Sequence, residues 1–255
     1  MKLQVISDIH GQYSKLIKAL EEADKQEWDF RIFLGDYFDR ASVEEEKKMI
    51  QWLIDNIDNP KYRFLLGNHD VWAWKYVKGE MHLSDHQIWQ VDCNGGEYTY
   101  SAINQIMEDS DDTIMNKLNN CFKKMQYINE EFEGYVFTHA GFKIRGDILV
   151  VNNDILYSGG DVGDLIEHKN ASHFKSLLPF EYKTKRFVVG HWVSWLADQT
   201  LLKKGVSKKI ESEDDISQEK MPYDLYYSNV WIIDNGSIVN DSIGLHFYNF
   251  ETEEE

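Results

Sequence analysis

Six apolar runs rich in branched and aromatic residues punctuate the chain, and between the first of them hydrophobic positions recur at helical spacing. The runs predict strands over Leu3 to Ser7, Phe30 to Leu34, Tyr62 to Leu66, Tyr135 to Thr138, Phe187 to Val189 and Val230 to Ile233. Most lack the polar alternation of a strand with one wet face, so they are expected to be buried on both faces. Leu16, Ile17, Leu20 and Ala23 share one helical face between the first two strands, and Ile50, Leu53, Ile54 and Ile57 do the same before the third. Ser42 with Glu45 makes a capping box that starts the second helix, and Pro60 follows its end. The first 70 residues therefore predict the order βαβαβ.

Residues 71 to 128 carry no convincing strand pattern and predict a helical insertion, with Trp72, Trp74 and Trp89 expected in the core. After Thr138 the pattern returns to strands. It ends in a hairpin whose turn is Asn235-Gly236, between Trp231-Ile232-Ile233-Asp234 and Ser237-Ile238-Val239. Lys203 to Asp224 is polar and charged, as expected of a mobile surface loop. No repeat and no long linker divides the chain, so one domain is expected over 1–250, with 251–255 as an acidic tail.

A chain of 255 residues that is 42% hydrophobic and 28% charged can bury a core, which excludes disordered, collagen-like and coiled-coil classes. No apolar run approaches the roughly 18 residues of a membrane span, and MKLQVISDIH lacks the charged start, apolar core and cleavage site of a leader. The expectation is a soluble, cytoplasmic protein without a membrane partner. Cys93 and Cys121 are too few for a disulfide framework, which fits a reducing compartment. The net charge of −17 argues against nucleic acid binding. Much of the excess lies in the runs at 44–46, 211–215 and 251–255, which are expected to be solvated faces and a frayed terminus.

The chemistry clusters by position. Asp8 and His10 follow the first strand, Asp36 and Asp39-Arg40 the second, Asn68-His69-Asp70 the third, His139 the fourth and His191 the fifth. In open α/β sheets the carboxyl ends of the strands form the rim where ligands bind. Carboxylate, amide oxygen and imidazole without thiolate make a ligand set for manganese, iron or zinc. A carboxylate such as Asp36 can bridge two such ions, and a pair about 3.5 to 4 Å apart can clamp both oxygens of a phosphoryl transfer.

The blocks Ser7-Asp8-Ile9-His10-Gly11, Gly35-Asp36-Tyr37-Phe38-Asp39-Arg40, Gly67-Asn68-His69-Asp70, Thr138-His139-Ala140-Gly141 and Gly190-His191 resemble, in order, the motifs of calcineurin-like metallophosphoesterases. The Asp-Tyr-Phe-Asp-Arg form is similar to the Ser/Thr phosphoprotein phosphatase branch of bacteria and phages. Asn94-Gly95-Gly96 with Thr99 and Ser101, and Asp154 to Ser158, resemble further segments of the bacterial members. The resemblance implies an α/β fold, a four-layer α/β/β/α sandwich, around two divalent metal ions, manganese first, with iron or zinc as alternatives. It implies Asp8, His10 and Asp36 as ligands of one ion, and Asp36, Asn68, His139 and His191 as ligands of the other. His69 becomes the general acid, Asp39 the residue that holds it, and Arg40 the phosphate clamp. A hydroxide bridging the two ions would be the nucleophile. The implied function is hydrolysis of phosphomonoesters, first phosphoserine or phosphothreonine in proteins, with phosphotyrosine, as in a dual-specificity phosphatase, and small aryl phosphates as further substrates. A symmetrical dinucleotide polyphosphate hydrolase and a non-catalytic metal-bound scaffold for a phosphorylated partner are the competing readings.

Departures from the family pattern are few. Ala41 stands where glycine is common, and Asp70 where glutamate is common. A second phosphate-binding arginine, expected after the Asp154 to Ser158 segment, has no match, since Arg145 and Arg186 lie outside the motif. His82, His86, His168, His173 and His246 match no motif and are expected to be structural or on the surface.

Overall fold

The structure, a computed structural model, describes residues 1–91, 94–109, 113–168, 171–192, 224–225, 230–234, 245 and 247–252. All six strands expected from the apolar runs form. In the first sheet β1 (Lys2–Ile6), β2 (Phe30–Phe33) and β3 (Tyr62–Phe64) run parallel, and β11 (Tyr248–Glu251) is antiparallel to β1, in the order β11-β1-β2-β3. In the second, β5 (Tyr135–Thr138), β8 (Arg186–Val189) and β10 (Val230–Ile232) are parallel. They are flanked by β4 (Ile128–Asn129) and β9 (Asp224–Leu225), both antiparallel to their neighbours.

The absence of polar alternation has a simple cause: both faces of both sheets are covered. Leu3, Val5, Ile32 and Leu34 meet Tyr135, Phe137, Val188 and Phe250 in an apolar layer between the sheets. Their neighbours Ile6 and Phe33 turn outward onto α1 (Tyr13–Ala23), α2 (Val43–Asn56) and the insertion. On the other side Val136, Phe187, Val189 and Ile232 pack on α8 (Gly160–His168) and α9 (Ala171–Leu177). This is the four-layer α/β/β/α sandwich. The insertion is helical, comprising α3 (Asn68–Val77), α4 (Leu83–Trp89), α5 (Gly96–Asp109) and α6 (Thr113–Lys124).

Four expectations need correction or a boundary. The region after Thr138 holds α7 (Asn153–Ser158), α8 and α9 as well as the hairpin β6 (Lys143–Arg145) and β7 (Ile148–Val150). Those helices are short and interrupted at Gly159-Gly160, so their apolar spacing is too brief to stand out in the sequence. Glu251 pairs with Lys2 and the Thr252 N–H donates to the Met1 carbonyl at 3.0 Å, so the acidic end begins inside the sheet. The Asn235-Gly236 hairpin turn, the loop up to residue 223 and Cys93 lie outside the described residues. Ser42 does cap α2, but the Glu45 carboxylate turns to Ser14 at the start of α1 instead of closing the box.

The run at 44–46 is not uniformly solvated: Glu44 is exposed, whereas Glu46 is fully buried. Burial, then the Asp39 charge, raises its carboxyl well above the ordinary value of 4.5. Above that value the unfolded chain releases a proton that the folded chain keeps, so this residue's contribution to stability falls as pH rises. Glu46→Gln, which mimics the neutral acid, is expected to melt higher than the parent at pH 8, with the gap closing toward pH 4. Thermal melts across pH check this; a gap independent of pH would mean that Glu46 is ionised in the fold.

Candidate metal centre

At the carboxyl ends of β1, β2, β3, β5 and β8 the chain turns sharply. Among the described residues, the non-glycine residues with positive φ are Asp8 (55°), His10 (47°), Asp36 (55°), Asp39 (78°), Arg40 (72°) and His191 (60°). All six are candidate site residues. Such conformations cost on the order of 1–3 kcal/mol each and persist only where the surroundings hold them. Backbone bonds between the turns do so here: His10 N–H donates to the Asp36 carbonyl at 2.8 Å, and Gly11 N–H to the Tyr37 carbonyl at 2.7 Å. The second and third turns touch so closely that a Cβ on Gly35, at φ 103°, would lie 2.4 Å from the Gly67 nitrogen. A Cβ on Gly67 would lie 2.1 Å from Asp36 Oδ1, so glycine is required at both places.

Asp70 fastens these turns. Its carboxylate accepts from the backbone N–H groups of Asp36, Tyr37 and Gly67, each at 2.8 Å. Burial and the Asp36 charge push this carboxyl up to about 8, against the pull of the three donors. Across the two sheets, Asp8 Oδ2 accepts from His191 N–H at 2.9 Å and from the Ser7 hydroxyl. Burial, followed by the charges of Asp234 and Asp36, raises Asp8 well above its ordinary value.

The five other expected ligands gather around Asp36. One of its oxygens, Oδ1, accepts the His69 N–H at 3.0 Å. The other, Oδ2, lies 3.6 Å from His10 Nε2 and 3.5 Å from His139 Nε2, between the two imidazoles. Asp8 Oδ1 is 4.0 Å from His10 Nε2. On the opposite side the Asn68 amide oxygen is 3.0 Å from both His139 Nε2 and His191 Nδ1. Asp36 belongs to two groups of close donor atoms, one with His10 and His69 and one with His139 and His191.

The tautomers decide what this cluster can hold. His10 Nδ1 donates to the Phe38 carbonyl at 3.2 Å and His139 Nδ1 to the Leu34 carbonyl at 3.0 Å. A carbonyl can only accept, so the protons sit on Nδ1 and both Nε2 lone pairs face Asp36. Burial lowers the pKa of both rings, and together with the His139 charge it brings His191 down to about 3, so all three imidazoles are neutral. Burial opposes ionisation of Asp36, but the surrounding histidines hold it below the usual carboxylate range. The Asp36 carboxylate oxygen and the Nε2 lone pairs of His10 and His139 thus face one another with no proton between them, and the Asn68 amide oxygen adjoins His139 on the far side. Two divalent cations fit such a donor set.

Beside the cluster, His69 Nδ1 donates to Asp39 Oδ2 at 2.6 Å, which leaves Nε2 facing the site. Burial opposes the imidazolium, but the Asp36 charge and the Asp39 hydrogen bond outweigh it and raise the His69 pKa. Arg40 sets Nη1 3.4 Å from His10 Nε2 and Nη2 3.4 Å from His69 Nε2. The two other arginines of this half do not join it. Arg145 is exposed on β6, and Arg186 donates to the Tyr135 hydroxyl at 3.0 Å from the start of β8, the end away from His191.

Several contributors were not singled out as functional by sequence reasoning: Ser7, Asp70, Thr99, Asp234 and the indole of Trp89. Asp70 and Ser7 adjoin recognisable residues, a signal that could have found them. Thr99 belongs to the segment after Asn94-Gly95-Gly96 that resembles the bacterial members, a signal that marked the segment without giving Thr99 a role, whereas nothing in the spacing around Trp89 points to the site.

A curated relative, the serine/threonine-protein phosphatase 2B catalytic subunit A1 of Saccharomyces cerevisiae, is 31% identical over 96 residues, which is 36% of this chain and 17% of that subunit. The chain thus spans about a sixth of that relative's length. Among solved structures, a mutant of a cold-active protein tyrosine phosphatase aligns over 98% of this chain and 75% of its own, at 15% identity and a TM-score of 0.48. A protein serine/threonine phosphatase from Saccharomyces cerevisiae aligns over 100% and 81%, at 12% identity and 0.49. The extended match is to the family described as calcineurin-like phosphoesterase, over residues 1–208. With that span reaching from the first strand past His191, the last of the converging ligands, the chain belongs to the calcineurin-like phosphoesterases.

Proposed function

We propose that the chain is a phosphomonoesterase acting on phosphoserine and phosphothreonine in proteins. The observation that carries this reading is one buried cluster in which acceptor atoms converge on Asp36 beside a carboxylate-held imidazole and a guanidinium. When bound, two divalent cations supply Lewis-acid activation of water and of phosphoryl oxygens. Asp8 and His10 would hold one, Asn68, His139 and His191 the other, and Asp36 both, with manganese our first choice. The Arg40 fork offers phosphate oxygens two N–H donors. His69 presents Nε2 to the oxygen that departs, and Asp39 keeps the ring turned that way. Its raised pKa favours a proton there near neutral pH. Such an acid matters for a serine or threonine alkoxide, which cannot leave unprotonated. The 31% identity with a serine/threonine phosphatase subunit supports the same class. We place its action in a reducing cell interior.

Because only one arginine lies beside the cluster among the described residues, phosphate recognition falls largely to Arg40. Arg40→Ala is expected to lower kcat/KM at least about a hundredfold, near the 2 to 3 kcal/mol of a charge-assisted hydrogen bond. An effect below about threefold in steady-state kinetics would assign the phosphate to another cation.

The reading as a whole is tested by a hydrolysis panel under one manganese condition: a phosphoserine peptide, diadenosine tetraphosphate and a phosphodiester. The peptide should be cleaved fastest. Cleavage of the dinucleotide alone would assign a polyphosphate hydrolase, tight peptide binding without turnover a scaffold, and cleavage of the diester alone would overturn the monoesterase reading.

A further inference from the structure

The Asp39 carboxylate is fully buried, and its oxygens are engaged from the insertion as well as from the rim. Besides His69, Oδ2 accepts from the Trp89 indole Nε1–H at 2.8 Å. Oδ1 accepts from the Thr99 hydroxyl at 2.6 Å. Thr99 Oγ1 in turn accepts the Asp39 backbone N–H at 2.9 Å, so its own proton is committed to Oδ1. Trp89 is the last residue of α4 and Thr99 stands in the first turn of α5. A Cβ on Gly96 would lie 2.3 Å from the indole nitrogen, so the start of α5 is pressed against that ring. Nearby, the Gly95 carbonyl accepts the Arg40 N–H at 3.3 Å.

An indole N–H can only donate, and the Thr99 hydroxyl has one proton, already directed. Every partner of Asp39 therefore donates, and the carboxylate has one way to sit. Rotation about χ2 would break all three of these bonds at once. We infer that Trp89 and Thr99 are positioning residues which, through Asp39, fix the tautomer and direction of the His69 ring, so that the helical insertion sets the geometry of leaving-group protonation. The inference rests on the reading of His69 as the general acid. It gives the insertion a part in the reaction without contact with substrate.

The test uses Trp89→Phe, which removes the indole donor, and Thr99→Val, which removes the hydroxyl at nearly constant volume, with Thr99→Ser as the variant that keeps the hydroxyl. On a phosphoserine peptide each of the first two should lower kcat about tenfold, the usual scale for one hydrogen bond to a charged group, with KM changed less than about twofold. On p-nitrophenyl phosphate, whose leaving group needs no proton, kcat should fall less than about twofold. Thr99→Ser should restore the peptide rate. In the Asp39→Asn background, Trp89→Phe should add little further loss, as for residues acting through one another. A readout independent of turnover is the Trp89 indole proton in the NMR spectrum of metal-free protein, which should move upfield in Asp39→Asn. Equal losses on both substrates, full additivity with Asp39→Asn, or an unmoved indole proton would overturn the inference. Where Trp89→Phe melts early, the Thr99 pair decides alone. If His69→Asn itself discriminates between the substrates and the clamp variants do not, the inference fails and the acid role stands. If His69→Asn does not discriminate, both fail.

Discussion

Asp36→Asn is expected to lose bound metal and activity together. Among the described residues, Asp36 Oδ2 is the carboxylate oxygen set between imidazole lone pairs from both sheets, 3.6 Å from His10 and 3.5 Å from His139. Replacing it with an amide removes the negative charge that would offset two dications. It also brings in either an N–H that repels them or a neutral oxygen that attracts them weakly. The fold should tolerate the change, because Oδ1 and its bond from His69 N–H have a counterpart in the amide oxygen. Elemental analysis after dialysis should find fewer than two equivalents of metal, and turnover should fall by at least about a hundredfold, the upper scale for disturbing a metal site. Two equivalents with normal turnover would show that Asp36 is not shared.

The second large effect separates acid catalysis from metal ligation. His69 lies close enough to Asp36 to be grouped with His10 as a possible ligand. Its pKa, however, is raised where those of His10, His139 and His191 are lowered, so its Nε2 favours a proton over a cation, and it is the neighbouring Asn68 whose oxygen meets His139 and His191. His69→Asn is therefore expected to keep its metal while losing about 10² to 10⁴ in rate on phosphoserine peptides, the range of general acid catalysis. On p-nitrophenyl phosphate the loss should be clearly smaller. Asp39→Asn should behave alike but more mildly, because it orients the ring without transferring the proton. Equal losses on both substrates would remove the acid role, and loss of metal would make His69 a ligand.

The parallel strands could be read in the sequence because both their faces are buried: Val136 and Val189 face one apolar layer, Phe137 and Val188 the other, so each run is continuously apolar. The ligands could be read because each follows such a run by one to three residues. What escaped was what short-range pattern does not encode. β11 alternates buried and exposed residues over only four positions and pairs with β1 from the opposite end of the chain. The helices between β7 and β8 are six to nine residues long and broken by glycines. Glu46 looked like a member of an acidic face because its neighbours are acidic, yet it points inward behind Asp39. Trp89 was expected in the core and is there, but its buried side chain carries one polar atom, and that atom reaches Asp39, fifty residues away in the sequence.

Crystals of the protein loaded with manganese, measured at the manganese absorption edge, test the central claim most directly. Two anomalous peaks about 3.5 to 4 Å apart, one on each side of Asp36 Oδ2, are predicted. One should lie toward Asp8 and His10, the other toward Asn68, His139 and His191. A single peak, or two peaks that do not share Asp36, would contradict the account.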